Sequence, residues 1–335
     1  MFFRDIVGQE RVIGFLRQAL KHDQMPHALL FLGNAGVGRG STAQALAQAL
    51  NCEDRQADQD ACGRCRSCRW FAGGGHPDFW QIGPEGEGAH PPIKIEQIRV
   101  LRRQVSFSPL AGSWRVVLLK PAESLNEEAA NALLKTLEEP PEGNVFILTA
   151  VGERDLLPTI VSRCRRLTFG AIPQAVLIRE LQQRRGLSPE QASLVAAINY
   201  GSLGQALEED LEDLLARRNK AVSELEMLHR GSITEVLHWA EQGKKAVGLD
   251  RLVLLGRLWY RDLLALASGA SPGQVVNQDC LEELARQQPQ VTVPVILARL
   301  EALTRLQRQV RANLNVELAL NNFSFQWRGE GLVPV

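Results

Sequence analysis

The stretch HALLFLGNAGVGRGSTAQALAQAL, residues 27–50, constrains this chain more than any other, because an apolar β-like run opens straight into a glycine-rich turn and then a helix-forming segment. A strand with no polar side to show water needs cover on both faces, and a strand feeding a helix returns to pair in parallel. Four more runs read as strands: FWQIG (79–83), RVVLLK (115–120), NVFILTA (144–150) and RLTFG (166–170). Between them lie amphipathic stretches such as QERVIGFLRQALKH and NEEAANALLKTLEE, the second stopped by Pro140 and Pro141. The expected fold up to about residue 167 is therefore a doubly wound α/β unit, a parallel sheet with helices on both faces.

After Pro173 the strand signals stop. Residues 168–208 read as a small helical domain, with Ser188 as a helix cap, Pro189 in the first turn and Gly201 at the stop. Residues 209–335 read as an all-α domain of long amphipathic helices, more suited to assembly than to catalysis. The segment IGPEGEGAHPP (82–92) reads as a loop insertion and RGEGLVPV (328–335) as a loose tail. With Lys plus Arg equal to Asp plus Glu at 38 each, the 335-residue chain has no basic footprint of an autonomous DNA binder. No run has the length of a signal peptide or a membrane span, so a cytoplasmic protein with no membrane partner is expected.

A working phosphate loop reads G-x-x-x-x-G-K-[ST]: backbone N–H groups wrap the phosphates, the lysine meets the terminal ones and the hydroxyl binds magnesium. Gly33, Gly36 and Gly38 fit a loop of this kind, and the flanking strand and helix are in place. Arg39 stands at the lysine position and Gly40 at the hydroxyl position, while Ser41 comes one place late, about 100° around the helix. Arginine keeps the charge, but its planar fork does not replace a compact ammonium. A glycine-rich connector between strand and helix gives a similar string without any ligand, so the loop alone does not decide.

Cys52, Cys62, Cys65 and Cys68 form C-x9-C-x2-C-x2-C, a spacing that surrounds zinc with four thiolates and leaves no open position. The expected cofactor is a structural Zn2+. His76 is an alternative ligand, although a lone histidine in GGGHPDF reads more simply as a loop residue; Cys164 and Cys280 read as small buried side chains.

The combination of DIVGQE, MPHALLFLGNAGVG, the cysteine insertion, AANALLKTLEEPPEGNVFILTA and LLPTIVSRCRRL resembles the clamp-loader subunits of bacterial replicative DNA polymerase, members of the AAA+ superfamily. The resemblance is specific over roughly the first 208 residues and looser beyond, where NLNVELALNNF carries it. It implies an AAA+ domain with a zinc insertion (1–167), a lid (168–208) and a C-terminal collar (209–335). Active relatives end one strand in Asp-Glu, for magnesium and for the attacking water; here Lys120 and Pro121 occupy those positions, with Glu123 further on. The lid motif GS-x-R reads GSLG, placing Gly204 where the arginine would stand. Thr149 occupies the position of a polar sensor.

These departures match the family's non-hydrolysing stator: efficient hydrolysis is not expected, while residual nucleotide binding by this chain stays open. By contrast Ser162, Arg163 and Cys164 keep the family's SRC order, in which the arginine reaches a neighbour's ATP as an arginine finger. In an anonymous basic run, Arg163 would instead be one of three solvated or ion-paired arginines with Arg165 and Arg166. The implied partners are gamma/tau motor subunits and a delta subunit in a pentameric ring, a sliding clamp and primer-template DNA. Two other readings stand beside this one: an ATP-hydrolysing motor subunit with an unusual site, and a zinc-dependent nucleic-acid binder.

Overall fold

The architecture comes from a computed structural model that describes residues 1–86, 91–243, 248–312 and 315–328. The chain divides into two compact units, the first Met1–Leu177 with Tyr200–Gln205, the second Ile178–Asn199 with the chain from Ala206 on.

The first unit holds β1 (Ala28–Leu32), β2 (Phe79–Ile82), β3 (Arg115–Leu119), β4 (Asn144–Ala150) and β5 (Arg165–Thr168) in one sheet of order β2-β3-β4-β1-β5. Every pairing is parallel. Alternation along each strand splits the core: Leu29, Phe31, Val116, Leu118, Val145 and Ile147 pack on one face with α1 (Glu10–Lys21) and α2 (Arg39–Leu50). On the other face Leu30, Val117, Leu119, Phe146 and Leu148 pack with α4 (Ile95–Val105), α5 (Glu127–Glu138) and α6 (Pro158–Val161), while α3 (Arg66–Ala72) belongs to the cysteine segment. The expected parallel sheet covered on both sides is thus present. Strand β4 ends with its apolar run at Ala150, while the other four stop one or two residues earlier than their runs; in β1 this is because Gly33, with φ +144°, already turns toward the loop.

Helix ends follow local chemistry. Asn126 accepts a hydrogen bond from the Ala129 amide (2.8 Å) to start α5, and the helix ends at Glu138, just before Pro140 and Pro141. The loop insertion at 82–92 lies partly outside the described residues, as does most of the tail at 328–335.

Among the described residues the remainder is helical: α7 (Gln174–Arg185), α8 (Pro189–Ile198), α9 (Leu203–Glu208), α10 (Leu211–Arg230), α11 (Ile233–Gly243), α12 (Leu249–Ala267), α13 (Leu281–Gln287), α14 (Val293–Arg311) and α15 (Val316–Arg328). Ser188 caps α8, accepting from the Gln191 amide while the Gln191 side chain accepts from the Ser188 amide. Helices α10, α11, α12, α14 and α15 share an apolar core built around Trp259, Leu263, Leu303, Leu320 and Phe323. No described helix is long and apolar enough to cross a membrane.

Candidate nucleotide and metal sites

The phosphate-loop residues sit where a working site would have them, between β1 and α2 at the C-terminal ends of the parallel strands. Gly36 and Gly38 have φ of +76° and +103°, a region closed to most side chains. What distinguishes this loop is how fully the chain itself engages it. The Gly204 amide donates to the Gly36 carbonyl (2.9 Å), and the Gln9 side chain donates to the carbonyls of Val37 (3.1 Å) and Gly170 (2.8 Å). A Cβ at Gly36 would lie 2.1 Å from Ser202 Oγ, and one at Gly204 3.0 Å from the Gly36 Cα. The GSLG segment therefore lies backbone to backbone on the loop, and a side chain at 204 would need the Gly36 backbone to give by a few tenths of an ångström.

Arg39 opens α2 with its Nη1 buried and without a hydrogen-bond partner. Burial holds the Arg39 guanidinium below its ordinary range, and the nearby charge of Glu123 opposes that shift. Glu123 lies in a short 3-10 turn, Ala122–Ser124, and its Oε1 accepts from the Val151 amide (3.4 Å). Its charge is felt at Arg39 without an ion pair between them, and Glu123 Oε2, like Arg39 Nη1, is buried without a hydrogen-bond partner. Lys120 and Pro121 follow β3 directly, at the positions the acidic pair would need, and Lys120 is exposed. The Thr42 hydroxyl is spent on the Gly38 carbonyl (2.8 Å). Thr149 is buried within β4, paired in register with Phe31.

Arg163 lies elsewhere. It follows α6 and precedes β5, whose first residue, Arg165, is in register with Leu29 near the start of β1. It is therefore at the N-terminal end of the strands, whereas the phosphate loop leaves their C-terminal ends. Its Nη2 donates to Glu138 Oε1 (2.5 Å) and its Nη1 to the Thr159 carbonyl (2.9 Å), while Ser162 Oγ also donates to Thr159 (3.1 Å). Arg166 pairs with Glu153 (3.1 Å) and Arg165 stacks over Phe15 (5.2 Å), so each of the three arginines has a partner within the chain. Cys164 is a core residue whose thiol burial pushes up to about 12.

The four cysteines converge as their spacing predicts. Cys52, Cys62, Cys65 and Cys68 place their sulfurs within 4.8 Å of one another. The Cys52–Cys65 and Cys62–Cys68 pairs are 4.0 Å apart and Cys52–Cys68 3.8 Å. A tetrahedron with metal–sulfur bonds of about 2.3 Å has edges of about 3.8 Å, so the cluster suits a four-coordinate metal ion. Amides of Cys62, Cys65 and Cys68 point at the sulfurs of Cys52, Cys62 and Cys65 (3.2–3.4 Å), the support that thiolates need. His76 is not among these ligands. It is buried, stacked on Phe71 (4.4 Å), with Nε2 3.1 Å from Ser67 Oγ and Nδ1 accepting from the Asp78 amide (3.1 Å). Cys280 is half-buried against the helical core.

Sequence reasoning missed Gln9, Glu138, Asp78 and Arg115. The one available signal was Asp78 and Arg115 beside apolar strands, where an ionised side chain needs a partner.

The model described as "DNA polymerase III, delta subunit" matches residues 8–173, and that described as "DNA polymerase III, delta subunit, C terminal" matches residues 205–329. The DNA polymerase III subunit delta' of Bacillus subtilis strain 168 is 29% identical over 92% of this chain and 93% of its own. The subunit delta' of Yersinia pestis is 30% identical over 90% of this chain and 88% of its own. The subunit tau of B. subtilis is 34% identical, but over only 61% of this chain and 36% of its own. The likeness to the B. subtilis and Y. pestis delta' subunits spans nine-tenths or more of this chain. The chain belongs to the delta' subunit family of DNA polymerase III.

Proposed function

We propose that this chain is the non-hydrolysing stator of a clamp loader that places a sliding clamp on primed DNA, and that Arg163 acts as an arginine finger on a neighbouring motor subunit. The observation that carries the reading is the opposition of two ends of one sheet. At the C-terminal end the loop has Arg39 and Gly40 in place of lysine and hydroxyl, Lys120 and Pro121 in place of the acidic pair, and Gly204 packed on Gly36. Hydrolysis needs those groups together, so no turnover is expected there. At the other end stands Arg163, too far along the sheet to serve its own loop and half-exposed at the surface.

On this reading the pentameric ring contains gamma/tau motor subunits and a delta subunit, residues 168–208 are the lid, 209–335 the collar that holds the ring, and the cysteine cluster carries structural zinc. The complex works in the cytoplasm. DNA contact is shared with partners and mostly to phosphates.

The test is reconstitution with motor subunits. The isolated chain should show no ATPase activity. Arg163→Ala in the ring should lower turnover at the adjoining site by about 10³-fold, the scale of such fingers. Ring ATPase and clamp loading undiminished by that substitution would remove the trans-acting role.

A further inference from the structure

The segment 106–114, between α4 and β3, displays Phe107 and Leu110 with 71% and 76% of their surface exposed. Its backbone, in contrast, is held by buried side chains. The Asp78 carboxylate, wholly buried, accepts from the amides of Leu110 (2.7 Å), Ala111 (2.7 Å) and Gly112 (3.0 Å). Arg115, also buried, stands 3.7 Å from Asp78 and donates to the carbonyls of Gln104 (2.8 Å), Phe107 (2.8 Å) and Ser108 (3.0 Å). Asn51 Oδ1 accepts from the Trp114 amide (3.1 Å), and Gly112 comes so close that a Cβ there would lie 1.9 Å from that oxygen.

Two of these anchors lead into the cysteine module. Asn51 directly precedes Cys52. Asp78 is joined through its amide to His76 Nδ1, and His76 Nε2 to Ser67 Oγ, one residue before Cys68. With Nδ1 accepting, the ring proton sits on Nε2, so His76 donates to Ser67. A metal ion that fixes Cys52 and Cys68 thereby fixes Asn51 and Ser67, and through them both ends of the 110–114 backbone.

We infer that the cysteine module positions this surface loop: metal held by Cys52, Cys62, Cys65 and Cys68 keeps residues 106–114 in one conformation through Asn51 and through the Ser67–His76–Asp78 chain. A loop whose backbone is anchored at several buried points while its apolar tips stay outside is preorganised, and the module supplies that order. This gives the metal a local task separate from the integrity of the sheet.

Hydrogen exchange on the full chain tests it, with bound zinc quantified in the same samples. In an Asn51→Ala, Ser67→Ala double variant, zinc content should be unchanged, and the amides of 110, 111, 112 and 114 should exchange about tenfold faster or more, as loss of buried hydrogen bonds implies. Amides of β1 and β4 should keep their protection. Zinc removal by a chelator should produce the same local acceleration. Unchanged exchange at these four amides in the zinc-loaded double variant would overturn the inference, as would unchanged exchange in a zinc-free chain with a protected sheet. If the zinc-free chain unfolds as a whole, the double variant decides.

Discussion

Gly36 and Gly40 lie four residues apart and face opposite constraints. Gly36 combines φ of +76° with contact to Ser202, whereas a Cβ at Gly40 would meet nothing within 4 Å. Gly36→Ala should therefore destabilise the first unit by about 3 kcal/mol, combining left-handed strain with overpacking. Gly40→Ala, in the first turn of α2, should stabilise it by about 0.5–1 kcal/mol. Denaturant midpoints of the two variants check this contrast, and equal effects would show that Ser202–Gln205 does not bear on the loop. The same contact bears on writing the family's lid arginine back at 204, since its Cβ would press on the Gly36 backbone at 3.0 Å. Among single residues, the sequence disclosed what was substituted but not what filled the gap. Arg39, Lys120, Pro121 and Gly204 were visible by position; the influence of Glu123 on Arg39 was not, because it depends on how the turn after β3 closes.

At the scale of elements, regular pattern was legible and buried charge was not. The five strands read directly from apolar runs, and the helix cap at Ser188 from residue type, whereas the cap at Asn126 came only with the structure. The helix α4 carries its core stripe at Ile98, Leu101 and Val105, set off by arginines and glutamines outside it. The Asp78–Arg115 pair escaped because its partners are backbone groups of a loop, which no spacing announces. The cysteine cluster was the most legible feature, since four like ligands at short intervals have few other uses.

Helix α10 offers a pH test of the second unit. His229 near its end is exposed at the surface, yet partial desolvation, and then the charges of Arg299, Arg230 and Arg328, hold it below its ordinary range, so the effect on stability is small. Because the unfolded chain takes up that proton more readily, stability is complete above pH about 6.5 and declines as pH falls below it. His229→Gln should flatten this acid limb in urea titrations at about pH 7.5 and 5.5, after allowing for the other histidines. An identical slope in both proteins would assign the effect elsewhere.

For the molecule as a whole, charge balance and domain build point to a component of an assembly. Thirty-eight basic and 38 acidic residues leave no net field to draw the free chain to nucleic acid. The second unit has its own apolar core, separate from those on the two faces of the sheet. Thermodynamic linkage gives a simple check on the proposed role: a ligand at 100 times its Kd adds about 2.7 kcal/mol to the stability of the state it binds. Magnesium–ATP at millimolar concentration should leave the melting midpoint of this chain unmoved, and a rise of several degrees would mean that the loop still takes nucleotide. The Gly204–Gly36 interlock then has a consequence for timing. A domain whose loop is already clasped by its own chain carries no clock: on the proposed reading it keeps one shape while its neighbours load, fire and empty, a datum against which their movements become directed work.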